Sequence, residues 1–153
     1  MKRSSIIRSL VALAVCALLP VMLGSLKNPV PRPIKMKAHS QMVLSLADGS
    51  YHATAWGEAT HCGEFVSLGS GVFNPATGEG SGGGTIIAAN GDEIFFDSLT
   101  MAQNIITGGT GRFEGATGEF IMVSMEQTGM DLDPVAGTMT LSFVWTASGT
   151  ITY

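Results

Sequence analysis

Polar and apolar residues alternate one for one along much of this chain. Over residues 51–60, Tyr51, Ala53, Ala55 and Gly57 fall on one side of an extended backbone, and His52, Thr54, Trp56 and Glu58 on the other. Beyond the N-terminal segment, no long window carries a 3.6-residue apolar period. Runs of β-branched and aromatic residues lie between glycine-rich breaks instead. The pattern predicts strands over 34–46, 51–60, 64–73, 85–89, 93–101, 104–107, 119–127 and 138–153.

The breaks between them have turn chemistry. His61-Cys62-Gly63, Asn74-Pro75-Ala76-Thr77-Gly78 and Asp131-Leu132-Asp133-Pro134 read as turns. Asn90-Gly91-Asp92 is the strongest hairpin signal, because Asn and Gly tolerate the positive φ of a type I′ turn. Eight strands at such spacing predict a closed barrel or a sandwich. Closure removes edge strands, and a barrel of this size has an interior that side chains fill or that holds one small ligand.

The last strand adds a directional feature. Met139, Leu141, Phe143, Trp145, Ala147, Ile151 and Tyr153 share one face. An outer-membrane barrel would turn such a face to lipid. An aromatic content of 7% is low for two aromatic girdles, so the face is read as the inner wall of a water-soluble barrel.

The N-terminus has a different composition. Lys2, Arg3 and Arg8 precede an uncharged stretch over 9–23, the pattern of a secretory signal. The run is short for a membrane span and contains Pro20. No A-x-A triplet closes it, so Gly24 or Ser25 is the expected last removed residue. An uncleaved anchor, or a lipid-modified Cys16, are the competing readings. The expected organisation is a signal peptide over 1–25, a basic Pro-rich linker over 26–37 and a barrel domain over 38–153. The linker assignment follows from the alternating Pro29, Pro31 and Pro33. The expected location is secreted or periplasmic, with no stable membrane insertion after cleavage.

Charge narrows the partners. From residue 38 onward Arg112 is the one Lys or Arg against all twelve acids, formally −11. Nucleic acid is therefore excluded as a natural partner, since phosphate binding rests on Lys and Arg. After signal removal Cys62 is the remaining cysteine and has no internal disulfide partner. It is read as a small buried hydrophobe rather than a reactive thiol.

The most distinctive stretch is Ile106-Thr107-Gly108-Gly109-Thr110-Gly111-Arg112-Phe113-Glu114-Gly115-Ala116-Thr117-Gly118. With Gly57-Glu58-Ala59-Thr60-His61, Phe73-Asn74-Pro75-Ala76-Thr77-Gly78 and Ala88-Ala89-Asn90-Gly91-Asp92, it resembles small secreted bacterial proteins related to the allene oxide cyclase and dirigent barrels. The resemblance covers roughly residues 50–120. It implies an eight-stranded antiparallel barrel with a central cavity, often a homotrimer. It places no catalytic residue on this chain. Physically, the glycines allow an irregular backbone path. Phe113 is apolar enough to anchor the loop. Arg112 is expected to pair with Glu114 or Glu119 or to cap loop carbonyls, and alternatively to bind a ligand carboxylate.

Candidate chemistry is sparse. Gly109-x-Gly111 lacks the third glycine and the following helix of a dinucleotide motif, and no phosphate loop is present, so no cofactor is expected. His52, His61, Cys62 and Glu64 lack metal-ligand spacing, and Asp131 and Asp133 lack the rest of a calcium loop, so no metal is expected. There is no G-x-S-x-G elbow. Glu58 and His61 are acid–base candidates on condition that they face a cavity. Trp56 and Arg112 are the candidates for ligand contact. The reading is an all-β exported barrel that binds a small apolar or amphipathic molecule. The alternatives are a cyclase or isomerase using the cavity, and a structural protein with a packed barrel.

Overall fold

The computed structural model describes residues 29–74 and 76–153. The expected signal peptide, Cys16 and the start of the linker lie outside the described residues. The described chain is all-β. Its strands are β1 (Arg32–Ser45), β2 (Ser50–Ala59), β3 (Gly63–Asn74), β4 (Glu79–Ala88), β5 (Glu93–Ser98), β6 (Gln103–Gly109), β7 (Thr117–Asp133) and β8 (Thr138–Thr152). They close into a barrel in chain order, every neighbour antiparallel, with β1 meeting β8 from Arg32↔Ile151 to Ser45↔Thr138. The turns β2–β3 and β4–β5 and the loop β6–β7 form one end, called lower here. The other four turns form the upper end.

The two-residue period decides which face is core. In β1, Ile34, Met36, Ala38, Met42 and Leu44 are buried, while Lys35, Lys37, His39, Gln41 and Val43 face outward. The apolar face of β8 also points inward, with Leu141, Trp145, Ala147 and Ile151 buried. The lower core gathers Ile34, Ile94, Phe113 and Ile151, and an upper cluster gathers Met42, Leu44, Tyr51 and Leu141.

Several boundaries differ from those expected. β1 begins at Arg32, so residues 32–37 belong to the barrel wall and not to a linker. Pro33 is accommodated because it lies at the start of the strand. Arg32, Lys35 and Lys37 thereby join Arg112 as cations of the barrel. β4 begins at Glu79, well before residue 85, because its glycines leave no side-chain alternation to read. β7 runs on to Asp133 and takes in Asp131 and Leu132, which were expected in a turn. Bulges at Met122/Ser124 and Gln127/Gly129 reset its alternation twice and hide its length. β5 stops at Ser98, ahead of the expected residue 101.

The β4–β5 turn is also of a different type. Gly91 has φ 86°, but Asn90 is not among the positive-φ residues, so the turn is not type I′. The Gly91 N–H donates to Ala88 O at 2.9 Å, and the Ala88 N–H donates to Asp92 O at 2.8 Å. This is a type I turn followed by a left-handed glycine, the usual three-residue hairpin solution.

The lower end is sealed by the β6–β7 loop. A single 3-10 turn at Gly111–Phe113 drives the Phe113 ring into full burial. That ring meets Tyr153 edge-on at 5.0 Å. Arg32 Nη1 donates to the Tyr153 hydroxyl at 3.1 Å, and its guanidinium lies 4.7 Å from the ring centre. The first and last strands are thus clasped where the barrel closes.

Candidate functional site

Above this seal the barrel is not completely filled. A cavity of about 140 Å³ lies between the walls. Phe65, Phe96, Phe120, Phe143 and Trp145 supply its aromatic surface, and Met36, Met42, Met101, Met122 and Met125 supply its flexible surface. Methionine side chains adapt to irregular shapes, so this lining can accommodate related molecules.

Glycines on β3 and β4 make room for Tyr51 beside the cavity. Gly69, Gly71, Gly82 and Gly84 stand opposite one another on the inner faces of β3 and β4. A Cβ on Gly71 or Gly82 would come within 2.8 or 2.7 Å of the Tyr51 hydroxyl and would also strike the facing backbone. Tyr51 therefore leans across a surface that only glycine leaves open. Burial pushes its phenol pKa up, which keeps it a neutral hydrogen-bonding group.

Polar groups in the wall are few and mostly paired. Trp145 Nε1 donates to Ser40 Oγ at 3.2 Å. Ser98 Oγ donates to Asn104 Oδ1 at 2.6 Å. Asn104 is 6% exposed and is the buried polar residue of the described chain. Its bond from Ser98 directs the carboxamide oxygen to β5 and turns the amide nitrogen the other way. Among the described residues, no buried side-chain nitrogen or oxygen lacks a partner.

The residues singled out from sequence lie elsewhere. Glu58 is on the outer face of β2, between Lys37 of β1 and Glu64 of β3. His61 sits in the β2–β3 turn at φ 72°, with Nε2 3.0 Å from Pro33 O and its ring edge-on to Tyr153. Neither lines the cavity, so the condition for an acid–base role there is not met. Trp56 is 44% exposed on the outer face and stacks on His39 at 6.2 Å, which places it outside the barrel. Arg112 is on the lower rim with its Nε 3.5 Å from Asp92, not beside Glu114 or Glu119 as expected. Its Nη2 also donates to Asn90 Oδ1 at 3.4 Å, and it lies over the Phe113 ring.

Cys62 is buried, and burial pushes its thiol pKa up despite a smaller opposing pull from Arg112. That is the environment of a packing residue, not of an activated nucleophile. His52, His61, Cys62 and Glu64 do not converge, and no cluster of metal-ligating side chains occurs among the described residues.

Sequence reasoning missed Tyr51, Ser98, Asn104 and the methionines. The signal was there for Tyr51, which shares a face with Ala53 and Ala55. Small residues on one side of a strand opposite Trp56 mark the side with little room, the inside. Comparison with known proteins adds no constraint: no family model, curated protein or solved structure matches the chain.

Proposed function

We propose that the barrel is a binding protein for a small, largely apolar molecule held in its interior. One observation carries this reading: the cavity is walled by aromatic and methionine side chains with one buried carboxamide, Asn104. None of the lining residues is Asp, Glu, His, Lys or Arg. The wall therefore favours binding over acid–base turnover of the cyclase or isomerase kind. An apolar cavity of about 150 Å³ takes up benzene. The volume here suits a single ring or a short branched chain with one hydroxyl or carbonyl at the Asn104 side. Most drug-sized ligands need roughly 300 Å³ or more.

Tryptophan fluorescence tests the reading. In a Trp56→Phe variant, Trp145 is the one remaining indole and belongs to the cavity wall. Saturable quenching by phenol or toluene supports binding. No change in Trp145 emission, and no shift of lining-residue NMR signals up to ligand solubility, sinks it. Chemical conversion of a bound ligand would revive the enzymatic alternative.

Export is proposed on the sequence of the N-terminal segment, with its Lys2, Arg3 and Arg8 ahead of an uncharged run. A mature mass lacking the first 24 or 25 residues in the exported fraction is the expected result. Self-association is proposed on the outer wall. Val66 stands between Trp56 and Ile87, and Leu68 between Thr54 and Thr85, with Phe95 beyond. Such contiguous exposed apolar surface marks contact sites. Light scattering should read a multiple of the chain mass, and Leu68→Asp should return it to one chain.

A further inference from the structure

β7 is much longer than the strand on one of its sides. β6 pairs with it only from Gln103↔Ile121 to Ile106↔Gly118, and the last bond between them is Met122 N–H to Ala102 O at 2.9 Å. Beyond that point residues 123–133 pair with β8 alone. Among the described residues, no backbone hydrogen bond reaches their other edge. The β5–β6 hairpin ends too early to cover it. Among the described residues, the barrel thus carries a long open strand edge above that hairpin.

The edge has two chemically different faces. Met125, Gln127, Met130 and Leu132 share a face with Trp145, Phe143, Leu141 and Met139 of β8, which is the inner side. With the facing hairpin absent at this height, Met130 and Leu132 stay 67% and 55% exposed. Glu126, Asp131 and Asp133 share the outer side with Val144, Thr140 and Thr138. A strand edge normally invites pairing with a copy of itself. Here any antiparallel pairing that matched the apolar faces would bring the acids of both copies together on the other face. Like charges so placed are destabilising.

We propose that the free edge of β7 is a docking site for an extended peptide segment whose apolar residues alternate with Lys or Arg. Such a segment adds a strand to the barrel. Its main chain takes up the free N–H and C=O groups of residues 123–133. Its apolar side chains cover Met125, Met130 and Leu132, and its cations meet Glu126, Asp131 and Asp133. Main-chain bonds provide affinity and the alternate side chains provide selectivity, as in other strand-addition complexes.

The test uses the mature chain and three synthetic peptides of about seven residues. One alternates lysine and leucine. The second is the same peptide N-methylated on one edge, which keeps its charge and removes ladder donors. The third has glutamate for lysine. The lysine peptide is expected to bind by calorimetry, more weakly in salt, and to slow amide exchange within 123–133. The N-methylated peptide should bind about tenfold weaker or worse, since several backbone hydrogen bonds are lost. The glutamate peptide should not bind. A folded E126K/D131K/D133K variant should reverse the preference between the lysine and glutamate peptides. Equal binding of the N-methylated peptide, protection outside 123–133, no binding at millimolar peptide, or an edge already protected by a second copy would each overturn the proposal.

Discussion

The Asp92 carboxylate holds the β6–β7 loop to the β4–β5 turn through Arg112: its Oδ2 accepts the Arg112 backbone N–H at 3.2 Å and lies 3.5 Å from the side-chain Nε. The same oxygen accepts from Asn90 Nδ2 at 2.6 Å. Gly111, at φ 57°, leaves the space that the carboxylate occupies, and a Cβ there would collide with it. Gly111→Ala combines a left-handed backbone with that collision. The left-handed penalty alone is about 1–2 kcal/mol. Urea denaturation should show a loss of at least that size, whereas Gly115→Ala, which meets no neighbour, should lose only the backbone part.

Asp92 and Asp48 are expected to contribute to the acid limb of stability. Hydrogen bonds from Asn90 and from the Arg112 backbone, helped by the Arg112 charge, hold the Asp92 pKa below its ordinary value. Hydrogen bonds from the Ser50 backbone and hydroxyl lower Asp48 to about 2. A carboxylate depressed in the folded state contributes stability that is complete above its unfolded pKa of about 3.9 and is lost as pH falls through the folded value. The urea midpoint should therefore decline between about pH 4 and pH 2. Asp48→Asn should make that decline shallower. An unchanged acid limb in this variant would show that the Ser50 bonds do not persist in solution.

Phe113 and its neighbour Arg112 should differ sharply on truncation. The phenylalanine ring is fully buried between Tyr153 and the lower core. Phe113→Ala should cost about 3–5 kcal/mol. Arg112 is exposed, and exposed ion pairs contribute roughly 0–1 kcal/mol. Comparable losses for the two variants would mean that the rim network, not the plug, seals the barrel.

Much of this architecture was legible where alternation was clean. β2 and β8 carry their inward faces openly, as Tyr51-x-Ala53-x-Ala55 and Leu141-x-Phe143-x-Trp145. Strand identity was lost where the inward residue has no side chain, as in Gly80, Gly82 and Gly84 of β4. It was lost again where bulges at Val123 and Thr128 shift the parity of β7. The candidate site was less legible, because the conspicuous residues are outside. Trp56, Glu58 and His61 drew notice by chemistry, yet strand parity puts Trp56 and Glu58 on the outer face and the β2–β3 turn holds His61 at the rim. Asn104 has an ordinary sequence context. It becomes notable only when β5 brings Ser98 beside it, through the pairing Ser98↔Asn104.

That pair gives a test that separates ligand recognition from packing. Asn104→Leu removes the acceptor of a 2.6 Å hydrogen bond and leaves the Ser98 hydroxyl in an apolar wall. An unsatisfied buried group costs about 1–3 kcal/mol, while removing both partners can be nearly neutral. Adding Ser98→Ala should therefore recover most of the stability lost by Asn104→Leu. It should not recover discrimination between polar and apolar ligands. In the double variant, phenol should lose about 3–10-fold in affinity, the equivalent of one neutral hydrogen bond, and toluene should bind as before or more tightly. If phenol affinity survives in a stable double variant, the hydroxyl is held by another wall group, and Tyr51, leaning over Gly71 and Gly82, becomes the residue to replace next.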